Sequence, residues 1–221
     1  MRLLSRFKNS VVPLGPAPRR VLTGAFAGLM LSLDLQSQTQ SWLGLYEREL
    51  YAPLRCLSRG IRSAIDVGCA DGEFTVYFLQ RTNSTLVFAI DGNAGYLEHL
   101  RRNVALNQCD SRRLVIRQEY LASLDQLAGE IEPPCLVKID IDGGERDILS
   151  NSPELLALSG LRWIIEVHSA ELECDCLRIL RRNGYTARVI KNAWWRRITG
   201  EQRPLGLNRW IVAERGVSVS L

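Results

Sequence analysis

The chain is short of several things. Of its 221 residues only two are histidine and two methionine, and no run stays apolar for the roughly 20 residues that a membrane span needs. Residues 21–33 are apolar and follow a basic segment, as in a secretion signal. However, Pro13, Pro16 and Pro18 lie between the two, no small-x-small cleavage site follows, and the run stops at Asp34. The expectation is a soluble, cytoplasmic protein with no membrane span. The six cysteines (Cys56, Cys69, Cys109, Cys135, Cys174, Cys176) are scattered, and the one close pair, Cys174 and Cys176, lacks the second pair that a zinc site would use. Reduced thiols are expected. No internal repeat is visible, and no G-x-G-x-x-G turn marks a dinucleotide site.

What is present is an ordinary globular composition, 46% hydrophobic and 24% charged, over a length that suits one large domain. We divide it into an N-terminal extension, 1–58, with a basic tail, a short strand over 27–35 and a helix over 42–58 kinked near Pro53, and a main domain, 59–221. The net charge of +4 is uneven. Residues 1–20 carry five Lys/Arg and no acid, and residues 188–209 carry six Lys/Arg beside Glu201 alone. A basic strip of this kind favours an anionic partner or is simply solvated surface.

From residue 63 a rhythm sets in. SAIDVG, LVFAID, LVIRQEY, CLVKIDI and LRWIIEVH read as strands. They alternate with helical stretches DGEFTVYFLQRT, AGYLEHLRRNVALNQ, SLDQLAGEI, GERDILSNSPELLAL and ELECDCLRILRRNGY. TARVI and NRWIVAE follow, with no helix between them, so the last strand should run antiparallel. The fold class predicted is α/β, a doubly wound, mostly parallel seven-stranded sheet with helices on both faces, which is Rossmann-like. Such folds bind ligands beyond the carboxyl ends of the strands, where the strand order reverses.

The stretch AIDVGCADGEFT puts Asp66 on the first of these strands and Gly68 and Gly72 in a wide turn before a helix. Glycines there allow close backbone approach to a ligand. The second strand ends at Asp91, where a carboxylate can accept bonds from two ribose hydroxyls. This order of acid, wide glycine turn and acid suits S-adenosylmethionine (SAM) better than NAD. Asp66 would then position the turn or the ammonium group of the ligand.

These residues carry a resemblance. The chain is similar to class I SAM-dependent methyltransferases and, within them, resembles the FkbM-like family. DVGCADGEFT resembles that family's D-I-G-A-N-x-G-x-[FY]-[ST], NVALN its N-x-x-x-N, and SLDQL its T-L-D-x-L. VKIDIDGGERDIL resembles its l-K-I-D-v-E-G-x-E-x-x-v-L, IIEVH its i-i-E-x-H, and GLYERE its G-x-Y-E. Ala70 stands where the family has Asn, Asp91-Gly92 where it has Glu-Pro, and Asp142 where it has Glu. The resemblance implies a SAM site lined by Asp66, Gly68, Cys69, Gly72, Phe74, Asp91, Gly92, Asn93 and Asp140, with Glu119 and Tyr120 at the adenine edge. It also implies O-methylation of a sugar or natural-product hydroxyl.

At the acceptor end, Lys138 and Asp140 share one strand face by period two, as do Glu166 and His168 on the next strand. In register, Asp140, Asp142, Glu166 and His168 would meet on one rim. Asp140 or His168 can serve as general base for a hydroxyl, with Lys138 and Glu166 beside them. Alternatively Asp140, Glu166 and His168 hold a divalent metal ion; the metal-free base is preferred. Asp142 or Gly143 capping the next helix, with Glu145 in its first turn, is the plain structural alternative. No N-P-P-[YF] turn for an extruded base follows strand four, so oxygen is the expected acceptor. Trp194, Trp195, Arg196 and Arg197, in the 191–208 connection, could stack on a sugar or a base. A nucleic-acid acceptor, with RNA on the 188–209 strip, is the second reading, and a SAM-binding protein without turnover the third.

Overall fold

The structure is a computed structural model that describes residues 12, 14–192 and 209–215. The N-terminal basic tail up to residue 11, and Trp194 to Arg197 with most of the connection around them, lie outside the described residues. The elements in chain order are β1 (Ala17–Arg20), β2 (Met30–Leu33), α1 (Thr39–Leu43), α2 (Tyr51–Leu57), β3 (Ser63–Val67) and α3 (Glu73–Arg81). They continue with β4 (Leu86–Ile90), α4 (Ala94–Leu106), β5 (Leu114–Arg117), β6 (Cys135–Ile139), α5 (Glu145–Ser150), α6 (Pro153–Ala157), β7 (Leu161–Val167), α7 (Ala170–Arg182), β8 (Thr186–Ile190) and β9 (Arg209–Glu214).

Seven strands form one sheet in the order β5-β4-β3-β6-β7-β9-β8, and only β9 runs against its neighbours. The central strands are near-continuous apolar runs because helices cover both faces. Period two then divides the core. Ala64, Val87, Ala89, Leu136 and Ile164 face one layer, and Ile65, Phe88, Val137, Ile139 and Ile165 the other. The order reverses between β3 and β6, and it is at such a reversal that folds of this kind bind ligands in a crevice.

The extension shares the first of these cores. Phe26 inserts edge-on among Tyr51, Phe74 and Tyr77, with ring centroids 5.5, 5.2 and 5.5 Å away. Its strand β2 is tied to α4 by the two asparagines of NVALN. Asn107 Oδ1 accepts from Met30 N at 2.9 Å while its Nδ2 donates to Met30 O at 2.6 Å. Asn103 Oδ1 accepts from Ser32 N at 2.7 Å. Two side-chain amides thus satisfy an edge of β2 as a neighbouring strand would.

Several sequence expectations need correction. The predicted strand over 27–35 shrinks to β2, and its antiparallel partner β1 is unforeseen, because Pro16 and Pro18 read as breakers. Proline is tolerated there because a two-stranded ribbon consists of edges. The predicted helix over 42–58 splits into the end of α1, a 3-10 turn (Arg48–Leu50) and α2, with Pro53 in the first turn of α2, where no helical bond is lost. SLDQLAGEI forms only a 3-10 turn, Asp125–Leu127, and the helix expected after residue 144 breaks into α5 and α6 ahead of Pro153.

We expect Asn103→Ala to leave the Ser32 amide buried without a partner and to destabilise the protein by about 1–3 kcal/mol in urea unfolding. A change under about 0.3 kcal/mol would show that the clamp contributes nothing.

Candidate active site

Asp66 and Lys138 are direct partners in the β3–β6 register, so one carboxylate and one ammonium face each other in the middle of the sheet. Both are buried, at 0% and 2% exposure, and Lys138 Nζ lies 3.2 Å from Asp66 Oδ1. Thr75 Oγ1 donates to the other Asp66 oxygen at 2.7 Å. Lys138 also donates to Gly68 O at 3.0 Å, approaches Asp140 Oδ2 at 3.6 Å and sits 5.1 Å above the Phe74 ring. Burial works against its charge, but Asp66, Asp140, Glu47 and Glu166 outweigh it and hold the pKa above the usual lysine value.

The turn after β3 needs glycine for a steric reason. Gly68 has φ +67, and a Cβ there would lie 1.8 Å from the backbone oxygen of Asp140. The ends of β3 and β6 therefore pass each other at backbone contact. Ala70 takes up a positive φ of 43 without being glycine, and its N–H is held by Asp91 Oδ2 at 3.0 Å. Asp91 Oδ1 accepts from Asn93 N at 2.8 Å, and Asn93 in turn caps α4 through Gly95 N. A carboxylate has about four acceptor positions, so two remain on Asp91 for a ligand. The Tyr120 ring lies over Gly92, within 2.4 Å of where a Cβ would be, and is otherwise 88% exposed. Glu119 is next to it, 4.0 Å from Arg117.

At the ends of β6 and β7 the acids converge as the alternation predicted. His168 Nε2 lies 3.8 Å from each of Asp140 Oδ1, Asp142 Oδ1 and Glu166 Oε1. Its Nδ1 is bound to Glu145 Oε1 at 2.7 Å. Burial lowers the imidazole pKa, but the Glu145 hydrogen bond and the charges of Glu145, Asp140 and Asp142 together raise it above the ordinary value. Glu166 is fully buried; that burial first, then Asp140 and Glu47, drives its pKa far above the carboxylate range.

The structure changes the part played by several expected residues. Lys138, expected among the catalytic groups, is buried among Asp66, Asp140 and the Gly68 carbonyl. Phe74 packs in the core against Phe26 and Trp210, and Cys69 is a buried thiol whose pKa burial raises. Gly144, rather than Asp142 or Gly143, is the N-cap of α5, and no side chain caps that helix. Glu145 belongs to the site itself through His168. Glu47 was not foreseen as a site residue. It is 3% exposed, takes a left-handed backbone at φ 49, and exchanges charge effects with Asp140 and Lys138. Burial, then Asp140, raises its pKa. The GLYERE element was the available signal, and a non-glycine residue held at positive φ often marks a functional position. Glu73, at the start of α3, is likewise pushed by burial to about 8.

A glycine turn after the first central strand and an acid ending the second thus lie beside the switch point of a doubly wound sheet, where such folds bind ligands. The FtsJ-like methyltransferase profile matches residues 41–186, and the chain belongs to that family of SAM-dependent methyltransferases. Solved structures share the fold. A SAM-dependent O-methyltransferase from Thermotoga maritima is 11% identical, with 76% of this chain and 65% of that one covered at a TM-score of 0.53. A putative rRNA-methylase from Clostridium thermocellum is 12% identical, covering 76% and 97% at 0.53. The TYW2 protein of M. jannaschii, in complex with AdoMet, is 14% identical, covering 93% and 89% at 0.53. No curated protein sequence matches the chain. Among the described residues no helix is long and apolar enough to cross a membrane.

Two outcomes follow from this geometry. Lys138→Met leaves the Asp66 carboxylate buried and uncompensated, and should cost about 3–5 kcal/mol in urea unfolding; a loss below about 1 kcal/mol would show that Asp66 is stabilised by other means. The chain has two histidines, so an NMR titration of the wild type beside His168→Gln isolates His168. Its pKa should lie above 6.5, so its contribution to stability is complete below about pH 6.5 and is lost as pH rises through the folded value. A value below 6.5 would mean that burial outweighs Glu145.

Proposed function

We propose that this enzyme binds SAM along the ends of β3 and β4 and methylates a hydroxyl of a small-molecule or sugar-containing acceptor at the rim of β6 and β7. The finer family assignment within this reading is FkbM-like, on the motifs that span GLYERE to IIEVH. When bound, SAM supplies a methyl group on a positively charged sulfur. Asp91 would accept the ribose hydroxyls with its two spare positions, while Gly92, Asn93, Glu119 and Tyr120 border the adenine. Gly68, Cys69 and Gly72 present backbone to the methionine end, with Asp66 fixing the turn through Thr75 and Lys138. The carboxyl groups of Asp140, Glu166 and Glu47 near that end suit a cationic ligand.

The acceptor oxygen must lie in line with the sulfur–methyl bond and lose its proton as the carbon–oxygen bond forms. The observation that supports this reading is the Glu145–His168 contact beside Asp140. It leaves the imidazole Nε2 beside the carboxylates of Asp140 and Asp142, groups that can take part in moving a proton from an acceptor hydroxyl. The second reading is an RNA acceptor. It draws on the rRNA-methylase among the fold neighbours and on the basic strip over 188–209, of which residues 193–208 lie outside the described region.

Incubation with methyl-labelled SAM and a panel of sugar, phenol and RNA acceptors tests the proposal. Label on a hydroxyl compound, with little dependence on salt, is expected. Label on RNA alone, falling steeply with salt, would replace the first reading by the second. Asp140→Asn should remove transfer while leaving the thermal transition within a few degrees. Asp91→Ala should weaken SAM binding about 10–100-fold by calorimetry, the value of one or two hydrogen bonds to a charged group. Unchanged affinity would move the ribose elsewhere.

A further inference from the structure

At the β6–β7 rim, among the described residues, buried polar atoms of Glu166 and His168 have no hydrogen-bond partner. Glu145 Oε1 binds His168 Nδ1 at 2.7 Å, and a carboxylate in that place fixes the ring proton on Nδ1. The lone pair on Nε2 is then left facing away from Glu145, towards Asp140, Asp142 and Glu166. Nε2 is buried, and among the described residues it has no hydrogen-bond partner. The same is true of both oxygens of Glu166, whose side chain is 0% exposed. The three acids stand 3.8 Å from Nε2, too far for hydrogen bonds yet close to the spacing of two ligands on one ion. One donor atom from each of Asp140, Glu166 and His168 lies within 4.8 Å of the other two. Ligands about 2.2 Å from a metal are at most about 4.4 Å apart, so the cluster needs only a slight contraction.

We propose that Asp140, Glu166 and His168 bind one divalent cation, with Asp142 at the mouth of the site as a further donor. The surroundings are those of a metal centre. Glu145 is the carboxylate that orients a ligating histidine, and Lys138 Nζ lies 3.6 Å from Oδ2 of Asp140. Several carboxylate oxygens and one imidazole suit an ion that accepts hard oxygen and nitrogen together, such as Mn2+.

This rests on the hydroxyl-acceptor reading and gives that site its chemistry. The ion would hold the acceptor oxygen and lower the pKa of its hydroxyl. The O–H bond breaks and the proton passes to solvent water beside the exposed Asp142. The oxygen then forms the bond to carbon while the sulfur keeps the electron pair of the carbon–sulfur bond. His168 acts here as a ligand, not as the proton acceptor.

The test is titration of the chelator-treated, dialysed full chain with Mn2+, read by calorimetry and by the electron paramagnetic resonance of the bound ion. One Mn2+ per chain is expected. Asp140→Asn and His168→Gln should each weaken it at least about tenfold, and Glu145→Gln, a positioning change, by about 10–100-fold. Asp140 is partly exposed, so its variant is the one least prone to unfold, and circular dichroism checks all three. No uptake by the wild type at millimolar Mn2+, or equal uptake by all the variants, overturns the site in favour of protons alone. Transfer to a hydroxyl at full rate by protein shown to be free of metal also overturns it, while leaving the methyl-transfer reading intact. Mn2+ bound with the expected losses, but no hydroxyl compound labelled, sustains the site and removes the acceptor assignment.

Discussion

The arrangement at the carboxyl end of the sheet depends on one buried ion pair, Asp66 with Lys138. Each charge alone would be costly in the interior, by several kcal/mol even after relaxation. Together they compensate each other, with Thr75 donating to Asp66 on one side and the Gly68 carbonyl accepting from Lys138 on the other. The pair joins the two strands between which the strand order reverses. It therefore holds the turn after β3 and the turn after β6 in a fixed relation. Gly68 makes the approach sterically feasible, and the ion pair makes it favourable.

That pair also governs the acids around it. Lys138 is a single positive charge facing Asp66, Asp140, Glu47 and Glu166. Burial first, and then the charge of Asp140, raises the pKa of Glu47 and of Glu166 against the opposing effect of Lys138. The result is a pocket rim whose charge balance responds to whatever cationic group enters. A sulfonium, an ammonium or a metal ion is each favoured there for the same electrostatic reason.

Much of this was legible in the residues, and the reasons for success and failure are physical. The central strands are buried on both faces, so their apolar runs between helical stretches announce a parallel sheet. The antiparallel last strand followed from a connection without a helix. Asp140, Glu166 and His168 could be brought together because side chains alternate with period two and neighbouring parallel strands keep register. Elements held by tertiary contacts were not readable. β1 and β2 owe their pairing to each other and to the Asn103–Asn107 clamp, not to a strong local pattern. α5 and α6 were read as one helix because their apolar positions continue across the break that Pro153 imposes. Glu145 looked like a first-turn acid, since nothing in its sequence neighbourhood reveals that His168, 23 residues on, lies against it.

The extension is better understood as part of the site than as an appendage. Asp71, in the turn between Gly68 and Gly72, accepts from Gln38 of the extension at 3.0 Å and lies 3.4 Å from His99 of α4. Its backbone oxygen accepts from Asn103, the same residue that holds β2. Gly72 packs on Leu100 of α4, and α4 begins at Asn93, which Asp91 holds. The glycine turn, the ribose-side acid and the extension are thus bonded through one helix, and the extension carries Glu47 to the charges around Lys138. A displacement of α4 would be felt at both ends of the crevice. The segment before β3 completes the charge environment in which Asp140 and His168 stand.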